Sequence, residues 1–149
     1  MDGRYYKLPL NLAAFLDDDA DQSYLDTCAE KESIYQYVHL LISTCPGEHD
    51  FDKTFGAQIF DMDFEKIVSR TRWEMQFTQY ITDAIVNNEK RLENVDVRVQ
   101  IEDTMRQDSV FGTSTIKKRA LVSVSANLLR TGEYCGFSYV LYLGPLSTK

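Results

Sequence analysis

The sequence predicts an α+β fold in two layers, with N-terminal helices packed on a C-terminal three-stranded antiparallel meander. Two observations predict it. Apolar residues recur at helical spacing in two segments of the first half of the chain, and from Val95 onward they alternate with polar residues instead. Helices that precede a run of strands are typical of α+β domains, in which the helices cover one face of an antiparallel sheet.

Length and charge limit the number of domains and the classes of partner. A chain of 149 residues is the usual size of one hydrophobic core. Its 23 acidic and 16 basic residues give a net charge of −7, which disfavours nucleic acid and anionic membrane surfaces as partners. The longest apolar run near the start, Leu8 to Leu16, is interrupted by Pro9 and Asn11 and is too short for a membrane span. We therefore expect a cytoplasmic protein.

Residues 1–26 predict an extended, partly flexible N-terminal arm. Arg4 to Pro9 form a short extended segment, and Asp17 to Asp19 are too acidic to pack in a core. We expect part of this arm to become ordered only on a partner. Residues 27–149 are expected to form the single domain.

Two amphipathic helices and one short helix are predicted in the first half of the domain. The first has Glu30 and Glu32 at its start, where the helix dipole favours anions, and it ends before Pro46. Residues 55–62 predict the short helix. The last helix is the longest and ends near Asn87-Asn88. The apolar faces of the two longer helices consist of Ile34, Tyr37, Val38 and Leu41 in the first and Trp73, Phe77, Ile81, Ala84 and Ile85 in the last.

Three strands are predicted, at residues 95–102, 120–128 and 136–143. Apolar and polar residues alternate along the first two, which is the pattern of a half-buried strand. Residues 104–115, which include Gly112, predict an exposed hairpin connection.

The third predicted strand has apolar residues on both faces and little polar alternation. A strand of this kind near a chain end has to be covered, either by the N-terminal arm or by a strand added from a partner. Phe137, Tyr139 and Leu141 are therefore predicted to be partner-binding residues.

The cysteines and histidines do not form a catalytic or metal-binding pattern. Cys28, Cys45 and Cys135 are widely spaced, which predicts reduced and mostly buried thiols. His39 and His49 lack the i, i+4 spacing of a helical zinc site.

The acidic residues and glycines fail the patterns of known sites as well. An EF-hand loop that began at Glu48 would need glycine at Lys53 and glutamate at Ile59. The chain has no nucleophile elbow and no glycine-rich nucleotide-binding motif. We therefore expect no catalytic residue, no metal, no cofactor and no small-molecule substrate.

Two segments carry a recognisable motif. The segment Leu41-Ile42-Ser43-Thr44-Cys45-Pro46-Gly47-Glu48-His49 is followed after a short loop by Phe55-Gly56, and Glu89-Lys90-Arg91-Leu92 precedes the first predicted strand. They resemble the small baseplate wedge family of contractile phage tails and type VI secretion systems, where the subunit is called TssE. That family has Thr-x-Pro-Gly-Glu-Arg, Phe-Gly and Glu-Pro-Arg; here His49 and Lys90 take the places of the arginine and the second proline.

The resemblance implies a structural subunit without catalysis. It would join larger wedge proteins of the TssF and TssG type, and it would template sheath subunits of the TssB and TssC type by strand addition. The resemblance also implies which residues matter. Glu89, Lys90 and Arg91 are the expected partner contacts, and Pro46, Gly47, Glu48, Phe55 and Gly56 form the turn motif.

Two other functions stay open. A second family with this fold acts as an anti-adaptor that binds a response regulator. Some phage members of the wedge family are labelled lysozymes. The lysozyme reaction requires two carboxylates at a sugar cleft.

If Arg91 is an exposed partner contact, Arg91→Ala should change the free energy of unfolding by less than about 0.5 kcal/mol while it weakens baseplate assembly.

Overall fold

The predicted α+β architecture is confirmed in a computed structural model that describes residues 5–15, 25–62, 69–107 and 114–143. Two helices precede a three-stranded antiparallel sheet, and a small two-stranded sheet lies near the N-terminus. In chain order the elements are β1 (Tyr5–Tyr6), a 3₁₀ turn (Leu12–Phe15), β2 (Thr27–Cys28), α1 (Glu30–Ile42), a 3₁₀ turn (Gln58–Asp61), α2 (Arg70–Asn88), β3 (Leu92–Gln107), β4 (Ser114–Leu128) and β5 (Tyr134–Leu143).

The two helices occupy the segments in which the helical period was found. Glu30 and Glu32 lie in the first turn of α1, and the helix ends before Pro46 as predicted. Ser69 caps α2, because its Oγ accepts a hydrogen bond from the Arg72 amide. The buried residues of the helices are Ile34, Val38, Leu41 and Ile42 in α1 and Trp73, Phe77, Ile81, Ala84 and Ile85 in α2.

The short helix predicted at residues 55–62 is only a 3₁₀ turn. Gly56 has a φ of +128°, which lies outside the helical region, so the helix cannot begin at Phe55. The residues between Gly56 and Met62 are too few to offset the cost of nucleating an α-helix, so they form only a short 3₁₀ turn.

The sheet has the strand order β3-β4-β5, and all of its strands are antiparallel, which is the predicted meander. The alternation of apolar and polar residues gives it one face towards the helices, with Val97, Ile101, Val122 and Val124 buried. None of the described helices is long and apolar enough to cross a membrane.

The strands are longer than predicted. Half of the expected connection at residues 104–115 is strand, namely residues 104–107 and 114–115, because Thr104 lies opposite Lys117 and Gln107 lies opposite Ser114. Pairing between strand backbones does not require apolar side chains. The alternation of apolar and polar residues, which detects burial, therefore did not predict these ends of β3 and β4. Gly112 lies outside the described residues.

The described part of the N-terminal arm packs on its own domain. Tyr5 and Tyr6 pair with Cys28 and Thr27, respectively. These strands form a sheet of their own, so in the described ranges the arm does not cover β5, contrary to one of the two predicted arrangements. Residues 16–24 of the arm lie outside the described residues.

The three cysteines are free, as predicted. Cys28 and Cys135 are buried and Cys45 is half-buried. Burial raises the pKa of the Cys28 and Cys135 thiols, which favours their uncharged form.

Candidate functional site

Glu89 and Arg91 form a two-pronged ion pair directly after α2. The Arg91 guanidinium donates from Nε to Glu89 Oε1 at 2.8 Å and from a terminal nitrogen to Oε2 at 2.6 Å. The Arg91 amide also donates to Oε1 at 3.0 Å. The Glu89 side chain is only 2% exposed and that of Arg91 is 27% exposed. The sequence left open whether this pair meets a partner or closes within the chain, and the structure shows that it closes within the chain.

Arg91 contacts α1, β1 and the turn after β4 at one corner of the molecule. Its guanidinium donates to Ser33 Oγ of α1 at 2.9 Å and lies 5.1 Å from the centre of the Tyr5 ring of β1. Its carbonyl accepts from the Leu129 amide, just after β4, at 2.8 Å. The hydrogen bonds to Glu89 raise the pKa of Arg91, so the guanidinium is held in its charged form.

This geometry corrects the expectation that Arg91→Ala would leave folding intact. That expectation assumed an exposed charge, whereas Arg91 is the partner of a buried carboxylate. Lys90 is the exposed residue of the motif, and its Nζ donates to the Val86 carbonyl at 3.1 Å. The sequence could not have found Tyr5 and Ser33 as members of this corner, because they are far away along the chain and belong to no common motif.

The side chains of Phe137, Tyr139 and Leu141 face the core. Tyr139 is buried between α1 and the sheet, where it stacks on Tyr35 with ring centres 4.9 Å apart. Its hydroxyl donates to the Tyr35 carbonyl at 3.2 Å. Burial raises the pKa of Tyr139, so its phenol stays protonated. Tyr139 is buried, Phe137 and Leu141 are half-buried, and the contact of these three residues with a partner stays a prediction.

The free edge of β5 presents the backbone of a different set of residues. The Leu128 amide donates to the Glu133 carbonyl, which makes these two residues a hydrogen-bonded pair. Bonded and non-bonded pairs alternate along an antiparallel ladder, and the register from Asn127 opposite Tyr134 onward is unbroken. The residues whose N–H and C=O groups point away from β4 are therefore Tyr134, Gly136, Ser138, Val140 and Tyr142.

The same five residues lie on the exposed face of the strand, and four of them carry a side chain there. Tyr134, Val140 and Tyr142 are large apolar groups that solvent reaches in the described part of the chain. The outer edge of β3 differs, because the Ile101 amide there donates to Glu74 Oε1 of α2 at 3.0 Å. Helix α2 thus occupies part of the β3 edge and leaves β5 as the more open one.

The turn motif holds the two ends of one loop together. Glu48 Oε2 accepts from the Cys45 amide at 3.0 Å, which closes the Pro46-Gly47 turn. A Cβ atom on Gly56 would lie 2.5 Å from the Thr44 carbonyl oxygen. That same oxygen accepts from the Ala57 amide at 3.0 Å.

Phe55 completes the motif. It is buried and packs on Tyr37, with ring centres 5.8 Å apart. All five motif residues therefore have a structural explanation: they close the turn, permit a close backbone approach or fill the core beneath the loop.

The acidic loop and the histidines have structural partners. Asp52 Oδ1 accepts from the Thr54 hydroxyl at 2.7 Å and from the Thr54 amide at 2.9 Å, and these bonds lower the pKa of Asp52. His49 stacks on Phe51, and His39 stacks on Tyr139. Over residues 5–15, 25–62, 69–107 and 114–143, no group of three or more histidine, cysteine or acidic residues could hold a metal ion.

Known proteins resemble this chain in fold and in sequence. One solved structure of the same fold is provisionally named as a tail lysozyme from Geobacter sulfurreducens, and it is 18% identical with a TM-score of 0.60. The match covers 83% of this chain and 99% of that chain. A chain of the baseplate complex from the type VI secretion system is 16% identical with a TM-score of 0.49 and covers 75% of this chain and 92% of its own. No curated protein sequence matches. The model of the baseplate wedge protein gp25 family matches residues 28–132, which is more than half of the chain, and the chain therefore belongs to that family.

Proposed function

We propose that this baseplate wedge subunit initiates the sheath of a contractile injection machine by accepting a sheath strand along β5. The observation that carries the proposal is the β5 edge, where, among the described residues, the backbone groups without a strand partner and the exposed side chains belong to the same stretch. A strand edge of this kind pairs readily with an added strand. The expected strand donors are sheath subunits of the TssB and TssC type, in a type VI secretion system or a related machine.

The corner formed by Glu89, Lys90 and Arg91 is the proposed contact for larger wedge proteins of the TssF and TssG type. Lys90 supports this assignment because it is exposed, and Arg91 supports it because its guanidinium has a fixed position. The assembly would take place in the cytoplasm.

The subunit would perform no catalysis. Glu89 is a buried carboxylate, and Arg91 binds both of its oxygens, so this side chain is not available to line a sugar cleft. A turbidity assay with purified protein and peptidoglycan tests this point. Clearance of the suspension would favour a lysozyme-like hydrolase instead.

Ser138→Pro tests the role of the β5 edge. The Ser138 amide points away from β4, so proline removes an edge donor without loss of a bond within the sheet. We expect the variant to fold and to recover fewer sheath subunits than wild type in a pull-down from the native cytoplasm, with partners identified by mass spectrometry.

Ser138→Ala is the matched control, because it removes the same side chain and keeps the amide. Thermal unfolding of both variants checks that the fold survives. Equal recovery of sheath subunits by the two variants would count against strand addition at β5. Recovery of a response regulator in place of baseplate proteins would support the anti-adaptor function.

Lys90→Glu tests the second contact without disturbing the buried pair. It reverses an exposed charge, and we expect it to reduce recovery of the larger wedge proteins while sheath recovery is unchanged. Loss of both partner classes, or of neither, would contradict two separate docking surfaces.

A further inference from the structure

Residues Tyr5–Leu8, here called the N-terminal strap, lie over the Arg91 corner. The Tyr5 ring covers the Arg91 guanidinium at 5.1 Å, and the Tyr5 hydroxyl donates to Glu30 Oε1 at 3.4 Å. Behind this ring, Arg91 is held by Glu89 and Ser33. Through Tyr5, the strap therefore covers one side of the Arg91 guanidinium, which is part of the surface proposed to meet a larger wedge protein.

Few contacts with the described residues hold the strap. Its ladder with β2 consists of two residue pairs, extended by a bond from the Lys7 amide to the Asp26 carbonyl at 2.8 Å. The Leu8 amide donates to Gln36 Oε1 at 2.8 Å. The ion pair between Lys7 and Glu32 joins two side chains that are each about half exposed, so solvent weakens it.

Burial adds little to this attachment. Tyr6 and Leu8 of the strap are exposed, and so are Leu10 and Leu12 beyond it. An element with little buried apolar surface opens more readily than the core around it. Arg91 beneath the strap is, in contrast, fixed by three hydrogen bonds from its guanidinium.

We propose that the strap is a removable cover of Arg91, which closes the corner in the free subunit and is displaced when a larger wedge protein binds. This inference rests on the proposed function, because it describes how the same surface is regulated. The displacing group would be an aromatic side chain on an extended segment, since the site already accepts Tyr5 from a strand and a guanidinium attracts the face of a ring.

A disulfide between Tyr6→Cys and Thr27→Cys would lock the cover. Lys7 and Asp26 form a bonded pair, so Tyr6 and Thr27 form the next, non-bonded pair, in which opposite Cα atoms approach closely enough for a disulfide. Tyr5 and Cys28 stay unchanged. The full-length double variant is compared after oxidation with glutathione disulfide and after reduction with dithiothreitol, and each single variant serves as a control.

The first readout is the rate at which phenylglyoxal modifies Arg91, followed by peptide mass spectrometry. We expect several-fold slower modification in the oxidised double variant than in the reduced one, and no redox dependence in the single variants. Tyr5→Ala should react faster than wild type, while Tyr5→Phe, which keeps the ring, should react like wild type. Equal rates of Arg91 modification in the oxidised and reduced forms would overturn the proposal that the strap covers Arg91.

The second readout is the recovery of larger wedge proteins from the native cytoplasm by the same two forms. We expect the reduced form to recover more than the oxidised form. Equal recovery by both would overturn the proposal that displacement accompanies binding. If neither form recovers wedge proteins but Arg91 modification still depends on the lock, the cover is supported and the wedge contact itself is wrong.

Discussion

At the scale of single residues, the family motifs of this chain are explained by buried backbone geometry and charge. Glu89 places a carboxylate in the core, and this arrangement is tolerated because Arg91 supplies both charge and donors with matched geometry. Gly56 permits the backbone on either side of a loop to approach within contact distance. The residues that look like exposed recognition motifs in the sequence are thus also essential to the local fold.

Arg91→Ala is expected to lower the free energy of unfolding by about 3 kcal/mol, because it leaves the Glu89 carboxylate buried without its partner. Urea denaturation followed by circular dichroism measures the change. The double variant Glu89→Leu/Arg91→Met should recover part of the loss, since it removes the buried charge as well. A single variant that is as stable as wild type would contradict the importance of the pair.

Gly56→Ala is expected to lower the free energy of unfolding by more than about 2 kcal/mol. The new Cβ would clash with the Thr44 carbonyl, and the φ of +128° is strained for alanine. Gly47→Ala is the matched control: its φ is +86° but no atom lies within 4 Å of the added Cβ, so only about 1 kcal/mol of backbone strain remains. Equal losses in the two variants would show that the close approach at Gly56 is unimportant.

At the scale of secondary-structure elements, β5 has two faces with different roles. Its inner face joins the sheet to α1 through Tyr139, whereas its outer face and outer edge carry no further strand from the part of the chain that the structure describes. The Tyr139 hydroxyl makes a direct hydrogen bond from β5 to α1. Sequence pattern alone made both faces look equally apolar.

Tyr139→Phe should lower the free energy of unfolding by about 1 kcal/mol, because it removes the hydrogen bond to the Tyr35 carbonyl and leaves that acceptor without this donor. Tyr142→Phe removes a hydroxyl from the exposed face of the same strand and should have no measurable effect. Guanidinium denaturation compares the two. A larger loss in Tyr142→Phe would mean that the faces of β5 are assigned the wrong way round.

At the scale of the whole molecule, the net charge of −7 at pH 7 makes copies of the chain repel one another, which disfavours pairing between two β5 edges. The sequence isoelectric point is about 4.8. As the pH falls towards that value, the carboxylates become protonated and the mutual repulsion is lost.

We therefore expect the isolated subunit to self-associate through β5 near pH 4.8 and to remain monomeric at pH 7. Light scattering at the two pH values measures the molar mass. Ser138→Pro should reduce the association at the lower pH, whereas Ser138→Ala should not. Association that is the same in both variants would place the contact elsewhere on the surface.

The sequence by itself determined the fold class, the two long helices, the order of the strands and the family. These features depend on periodicity and on short motifs, which reflect local propensity and the burial of one face. The strand ends near residues 104–115 could not be predicted, because their pairing rests on backbone hydrogen bonds that leave no pattern of apolar residues.

Only the tertiary structure decided which surfaces are available. It brought Tyr5 and Ser33 to Arg91, turned Phe137 and Tyr139 towards the core, and left the alternate residues of β5 at the free edge. The physical reason is that a partner meets a surface assembled from distant segments. Burial, the parity of the hydrogen-bonding ladder and contacts between elements define that surface, and none of these is a property of neighbouring residues in the chain.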